Sequence, residues 1–252
     1  MLKCWASVLG DCDKQSREHY ISRCLWTNEN LMVVVPSWND GQPKQININS
    51  LFSRILCEHH NNALSDLDRE AGKYFKAVEW IIKDVEQKRN FKRTEVWRTV
   101  SHTINGDFLE RWLFKLVVGI VSVLKTNDKW ALTKTVSSEP PEDIVKMVFG
   151  IKTIVRPFGI YSMLENGKSP NFMEEVTFAP YMNDDDEYVG ATVSLRTIPF
   201  LVWMSNIEIT ERFQTLSEGF LTSDYLIERY HHQELTFATK GKIASRLKFI
   251  WN

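Results

Sequence analysis

The residues of this chain that could do chemistry gather between Cys4 and Asn61. All four cysteines fall there (Cys4, Cys12, Cys24 and Cys57), and His59 and His60 stand just past the last of them. Structural zinc takes four soft or borderline ligands in a tetrahedron, usually as two close pairs from separate segments. Cys57-x-x-His60 has the spacing of one such pair at the start of a helix. Cys4 and Cys12 are further apart than most ligand pairs, but Gly10 between them would permit the sharp turn that joins them. Cys24 has no assignment and could replace Cys12. The plain alternative is that the thiols are reduced, small core residues.

Two further stretches complete the set. Ser16-Arg17-Glu18-His19-Tyr20-Ile21-Ser22 follows the first cysteine pair, and Leu56-Cys57-Glu58-His59-His60-Asn61-Asn62-Ala63-Leu64-Ser65-Asp66-Leu67-Asp68 opens a helix. A Glu-His dipeptide after a cysteine knuckle, with an asparagine directly after the last metal ligand, resembles the HNH, or ββα-metal, nucleases over residues 1–70. In particular it resembles the branch reading Cys…Cys…Ser-x-Glu-His-x-Ile and Leu-Cys-x-x-Cys/His-Asn-x-x-Leu-Ser-x-Leu-Asp. The resemblance implies that His19 deprotonates a water, and that Glu18 and Asn61 hold one divalent ion, Mg²⁺ or Mn²⁺, against the scissile phosphate. It also implies a structural zinc on Cys4, Cys12, Cys57 and His60. Two positions depart from the family: Ser22 replaces its usual proline, and His60 its most common fourth cysteine. The doublet also allows His59 on zinc and His60 on the hydrolytic metal, but Cys-x-x-His keeps the family's two-residue gap. Small bacterial proteins of this kind include phage-defence and restriction effectors, and the resemblance extends to them by analogy.

Elementary chemistry suits those roles. A neutral imidazole is a competent base near pH 7, and a hard cation prefers carboxylate and amide oxygens. Arg17 or Arg69 could clamp phosphate. The plainer alternatives are an exposed polar dipeptide at Glu18-His19 and a helix-capping role for Asn61.

These residues need elements to hold them. The first 57 residues carry short apolar pieces (Val8-Leu9, Leu31 to Val35, Ile46 to Ile48) broken by Gly10, Pro36, Gly41 and Pro43, which predicts small strands and turns. Leu64, Leu67, Ala71, Phe75, Val78, Ile81, Ile82 and Val85 recur at steps of three and four and predict a helix from Cys57 to Gln87, with Ser65-x-x-Asp68 able to cap a later start. Alternation over Thr94 to Thr103 predicts a strand. Asp107 then caps a strongly apolar helix, Phe108 to Leu124, expected to be central and buried. Pro140 to Val148 predicts a short helix, and Thr153–Leu164, Glu174–Pro180, Tyr188–Met204 and Leu235–Thr239 predict strands, with turns at Asn166-Gly167 and Asp184 to Asp186.

Composition bounds the function classes. The 252 residues carry 31 Lys+Arg against 32 Asp+Glu, so overall charge announces no nucleic-acid binder. From Lys88 to Lys134, however, Lys88, Arg89, Lys92, Arg93, Arg98, Arg111, Lys115, Lys125, Lys129 and Lys134 face only Glu95, Asp107, Glu110 and Asp128. That excess is of the kind that attracts phosphate, and Lys88, Arg89, Lys92 and Arg93 are the expected contacts. The tryptophans read as core, the pair His231-His232 as surface and Asp184 to Glu187 as a solvated turn. No apolar run has the length of a membrane span or leader, and so few cysteines argue against a disulfide scaffold; a cytoplasmic protein is expected. The expected fold is α+β. Residues 1–90 form a zinc-containing ββα-metal or treble-clef module with a long helix. Residues 91–252 form a mixed helix and antiparallel-sheet region that recognises substrate or a protein partner. The expected function is a metal-dependent endonuclease acting on nucleic acid, DNA by preference. The rival is a non-catalytic zinc module that binds nucleic acid or protein.

Overall fold

A computed structural model of the chain describes residues 4–23, 30–34, 42–92, 94–123, 139–162, 175–183, 187–195, 198–207 and 234–251. A 3-10 turn, Ser7–Leu9, precedes β1 (Glu18–His19), β2 (Asn30–Val34) and β3 (Lys44–Asn47), and another, Ile48–Ser50, leads into β4 (Phe52–Ser53). Two helices follow, α1 (Glu58–Ala63) and α2 (Ser65–Arg89), then β5 (Val100–Asn105), α3 (Gly106–Val123) and α4 (Glu142–Val148). The remainder is β6 (Gly159–Ser162), β7 (Glu175–Met182), β8 (Tyr188–Leu195), β9 (Ile198–Trp203), β10 (Glu234–Thr239) and β11 (Lys242–Ile250). The fold is mixed α+β with several sheets. β1 and β4 pair as an antiparallel ribbon; β10, β11 and β5 form a second sheet; the third runs β3-β2-β7-β8-β9-β6.

The helices follow their apolar periodicity. Leu67, Ala71, Tyr74, Phe75, Val78, Ile81 and Val85 are the buried face of α2. The expected single helix from Cys57 is two, because Leu64 turns fully inward and leaves helical geometry between them (φ −96°, ψ 3°). α3 is buried on nearly every side, from Leu109 and Trp112 to Val118 and Ile120, and is the central helix. Its first residue, Gly106, lies under the Trp251 indole, where an added Cβ would come within 2.4 Å of the ring.

The regions either side of residue 90 share one core and one sheet. β2 pairs in parallel with β7, placing Met32 to Val34 beside Glu175 to Thr177, and a single apolar cluster runs from Trp5 through α2 and α3 to Trp251. The strand expected over Thr94–Thr103 begins only at Val100. Before it, lysines rather than a strand satisfy the backbone carbonyls: Lys240 donates to Phe91, Lys242 to Glu95 and Lys88 to Arg98. Tyr188–Met204 is a hairpin rather than one strand, Leu195 facing Ile198. β11 was not foreseen. It follows the turn Lys240-Gly241, both residues at positive φ (50° and 75°), which suits a two-residue hairpin loop. The expected turns at Asn166-Gly167 and Asp184–Asp186, and His231-His232, lie outside the described residues. No helix among them is long and apolar enough to cross a membrane.

Candidate functional site

Three segments bring the metal-type ligands together. Cys57 is the N-cap of α1, its Sγ accepting from the backbone N–H of His60, so both side chains hang from one helical turn. The segment holding Cys4 is tied alongside by Trp5 N–H donating to the Ile55 carbonyl at 3.0 Å. Gly10 and Asp11, at φ 82° and 49°, turn the chain so that Cys12 returns to Cys4. Ser16 N–H to Leu56 O and Glu58 N–H to Lys14 O close the frame, and the Asp13 carboxylate accepts from His59 N–H at 2.9 Å.

The result is a compact Cys₃His group: the ligand atoms of Cys4, Cys12, Cys57 and His60 all lie within 4.8 Å of one another. His60 Nδ1 stands 3.4, 3.7 and 3.1 Å from the sulfurs of Cys4, Cys12 and Cys57. Tetrahedral zinc with ordinary Zn–S and Zn–N bonds requires about 3.5 Å for that separation, so the set fits a metal such as zinc. Burial pushes the Cys4 thiol up to about 12 and raises Cys12, while it lowers the His60 imidazole, keeping it the neutral ligand a metal needs. His60 rather than His59 faces the sulfurs: His59 is exposed. Cys24 lies outside the described residues; Cys12 supplies the fourth ligand atom.

The second constellation adjoins it. β1 and β4 pair with Glu18 opposite Ser53 and His19 opposite Phe52. Because successive strand residues face opposite ways, Glu18 points into the protein, 7% exposed, and His19 points away and is half-buried. Glu18 meets the side chain of Asn61, which also donates to Ser16 Oγ at 3.0 Å. Asn61 turns its amide N–H groups towards Glu18 and Ser16; a carboxylate and an amide side by side are groups whose oxygens suit Mg²⁺, which takes one or two such ligands plus substrate phosphate from a protein. His19 packs edge-on to Phe52, and its Nε2 is buried with no hydrogen-bond partner among the described residues. Burial, then the charges of Arg23 and Arg17, lower its pKa and keep the imidazole neutral.

Sequence reasoning missed the partner of Glu18. Lys115 of α3 reaches across to it, Nζ 2.8 Å from Oε1, and also contacts both oxygens of Asp68 at 2.8 and 3.1 Å. Asp68 in turn accepts from Ser22 Oγ and Trp112 Nε1. Trp112, Lys115 and Gly119 lie at helical spacing on one face of α3, and Gly119 lets Tyr20 approach closely. Burial pushes the Glu18 carboxyl above its usual range despite Lys115. Burial also works against the Lys115 charge, but the two carboxylates outweigh it and raise its pKa. The only signal in sequence was a lysine set between Phe114 and Leu116 in the apolar stretch of the helix, Trp112 to Val118.

The expected phosphate contacts divide. The exposed Arg17 lays its guanidinium 3.8 Å over the Phe52 ring beside His19. Arg69 is exposed and paired with Asp66. Lys88 is corrected: it is buried, bound to Asp84 at 2.9 Å and to the carbonyls of Arg98 and Ala244, and has no amine to offer phosphate. Arg89 and Lys92 are exposed at the far end of α2, about 30 Å from Asp68 at a helical rise of 1.5 Å per residue. Lys240 and Lys242, unforeseen, join them there, Lys242 lying over the Trp97 ring. Arg93 lies outside the described residues. No family model, curated protein or solved structure matches this chain.

Proposed function

We propose that the protein is an HNH-type, metal-dependent endonuclease hydrolysing phosphodiester bonds, with DNA as its substrate and the cytoplasm as its compartment. The carrying observation is the contact of Glu18, on the β1–β4 ribbon, with Asn61, on the first turn of α1, beside the Cys₃His group. Ribbon, helix and metal-type frame in that order support a ββα-metal or treble-clef module. Zinc on Cys4, Cys12, Cys57 and His60 would fix the two strands against the helix and take no part in the reaction.

Glu18 and Asn61 would hold the hydrolytic Mg²⁺ or Mn²⁺. That ion, when bound, would stabilise the charge on the leaving oxygen. His19 would take the proton of the attacking water: it is held neutral, and its Nε2 is committed to no structural hydrogen bond among the described residues. Arg17 and Arg23, whose charges already act on His19, would draw the phosphate towards it. Arg89, Lys92, Lys240 and Lys242 would hold the backbone of a longer substrate. The test is digestion of supercoiled, duplex and single-stranded DNA, and of RNA, with Mg²⁺ or Mn²⁺, comparing wild type with His19→Ala. Cleavage by the wild type alone is expected; equal cleavage by both removes His19 from the reaction.

One observation favours a second function. Glu18 and His19 Nε2 are both buried, as in a zinc module that binds nucleic acid or protein without turnover. That protein would retain zinc and show salt-sensitive binding, with no cleavage by wild type in any metal.

A further inference from the structure

We propose that Lys115 is the resident cation of the hydrolytic site: its ammonium occupies the Glu18 carboxylate until a divalent ion displaces it onto Asp68. The inference rests on Glu18 being a metal ligand, as proposed above.

The geometry is that of a shared cation. Lys115 Nζ touches Glu18 Oε1 at 2.8 Å and Asp68 Oδ2 and Oδ1 at 2.8 and 3.1 Å. The Lys115 and Glu18 side chains are only 6% and 9% exposed. A carboxylate so far from water is costly unless a positive group pairs with it. Among the described residues, Lys115 is the cation that does so.

Asp68 gives the ammonium somewhere to go. It is held without help from Glu18, by Ser22 Oγ at 2.5 Å and Trp112 Nε1 at 3.0 Å, and is more exposed, at 27%. An ammonium has three donors, so Lys115 can release Glu18 and remain paired through both Asp68 oxygens. A dication on Glu18 would repel an ammonium on the same carboxylate, so the two compete. Since Lys115 belongs to the central helix, the packing of α3 would then set how readily the site takes its metal.

The test is Mn²⁺ binding to the zinc-loaded full chain, by calorimetry or electron paramagnetic resonance. Lys115→Met is expected to bind Mn²⁺ at least tenfold more tightly than wild type, Lys115→Gln to shift the same way, and Lys115→Arg, which keeps the charge, to stay near wild type. Adding Glu18→Gln to Lys115→Met should abolish the gain. Unchanged or weaker binding in the Met and Gln variants overturns the inference while leaving Glu18 as a ligand. If Glu18→Gln alone binds Mn²⁺ as wild type does, Glu18 is no ligand and the nuclease proposal falls with it. Should both uncharged variants fail to fold, the wild type still decides. The ¹⁵Nζ signal of Lys115 must move on titration with Mg²⁺ and stay still in Glu18→Gln; a signal indifferent to saturating Mg²⁺ refutes displacement.

Discussion

His60 Nδ1 lies 3.1 Å from Cys57 Sγ because both side chains leave the first turn of α1 towards the returning Cys4 and Cys12. Metal held there joins three segments that otherwise share only a few backbone hydrogen bonds, so its removal should loosen all of them. The purified protein should carry about one zinc per chain, and Cys57→Ser should lose it. Melting temperature should fall on chelation in wild type and respond little in Cys57→Ser. Zinc-free wild type with the same melting temperature would refute the metal centre.

Lys88 and its neighbour in sequence, Arg89, should behave oppositely. Lys88→Ala strands Asp84, which also accepts from Ser245 Oγ, and leaves two carbonyls unmet. It should cost about 3 kcal/mol in urea unfolding. Arg89→Ala and Lys92→Ala should stay within about 0.5 kcal/mol of wild type yet weaken DNA binding and flatten its dependence on salt.

Gly119 faces Tyr20 at the junction of α3 with the β1 end, where an added Cβ would stand 3.3 Å from the Tyr20 Cβ. Gly119→Ala gains about 1 kcal/mol of helix propensity and loses a similar amount to crowding, so its stability should be near that of wild type. Gly119→Val has no such compensation and should lose about 2 kcal/mol. Equal stability of the two variants in chemical denaturation would show that the junction yields freely.

Stability should fall as pH drops below about 6.5, the ordinary histidine value. His102 packs against Trp80 with Nε2 unpartnered among the described residues, and burial lowers its pKa. The unfolded chain therefore binds a proton that the folded chain refuses. This destabilises the fold from the unfolded value down to the folded one and has no effect above both. Urea midpoints at pH 7, 6 and 5 should decline less steeply in His102→Phe than in wild type.

What could be read from the sequence depended on the range of each interaction. The ligand pair Cys57 and His60, the face of α2 and the buried α3 are local patterns, and each stands where periodicity or spacing placed it. Cys4 and Cys12 came together through Gly10, a local device with a recognisable residue. Lys115 and Lys88 were not legible as structural residues, because nothing local tells an exposed lysine from one whose carboxylate partners arrive by folding. Lys115 meets Asp68 across 47 positions, and Lys88 meets Ala244 across 156. The pairing of β2 with β7, which joins the two expected regions into one sheet, has the same cause.

The parallel pairing of β11 with β5 bears on how the molecule assembles. Thr99 Oγ1 donates to the Ile243 carbonyl across 144 positions, and Trp251 covers the first residue of α3. A nascent chain can pack α2 against α3 early, from neighbouring contacts, but β5 keeps an open edge until residues 242–250 emerge. Contacts of such long range fold slowly, so during synthesis that edge is where a chaperone, or a second nascent chain, would find unpaired backbone.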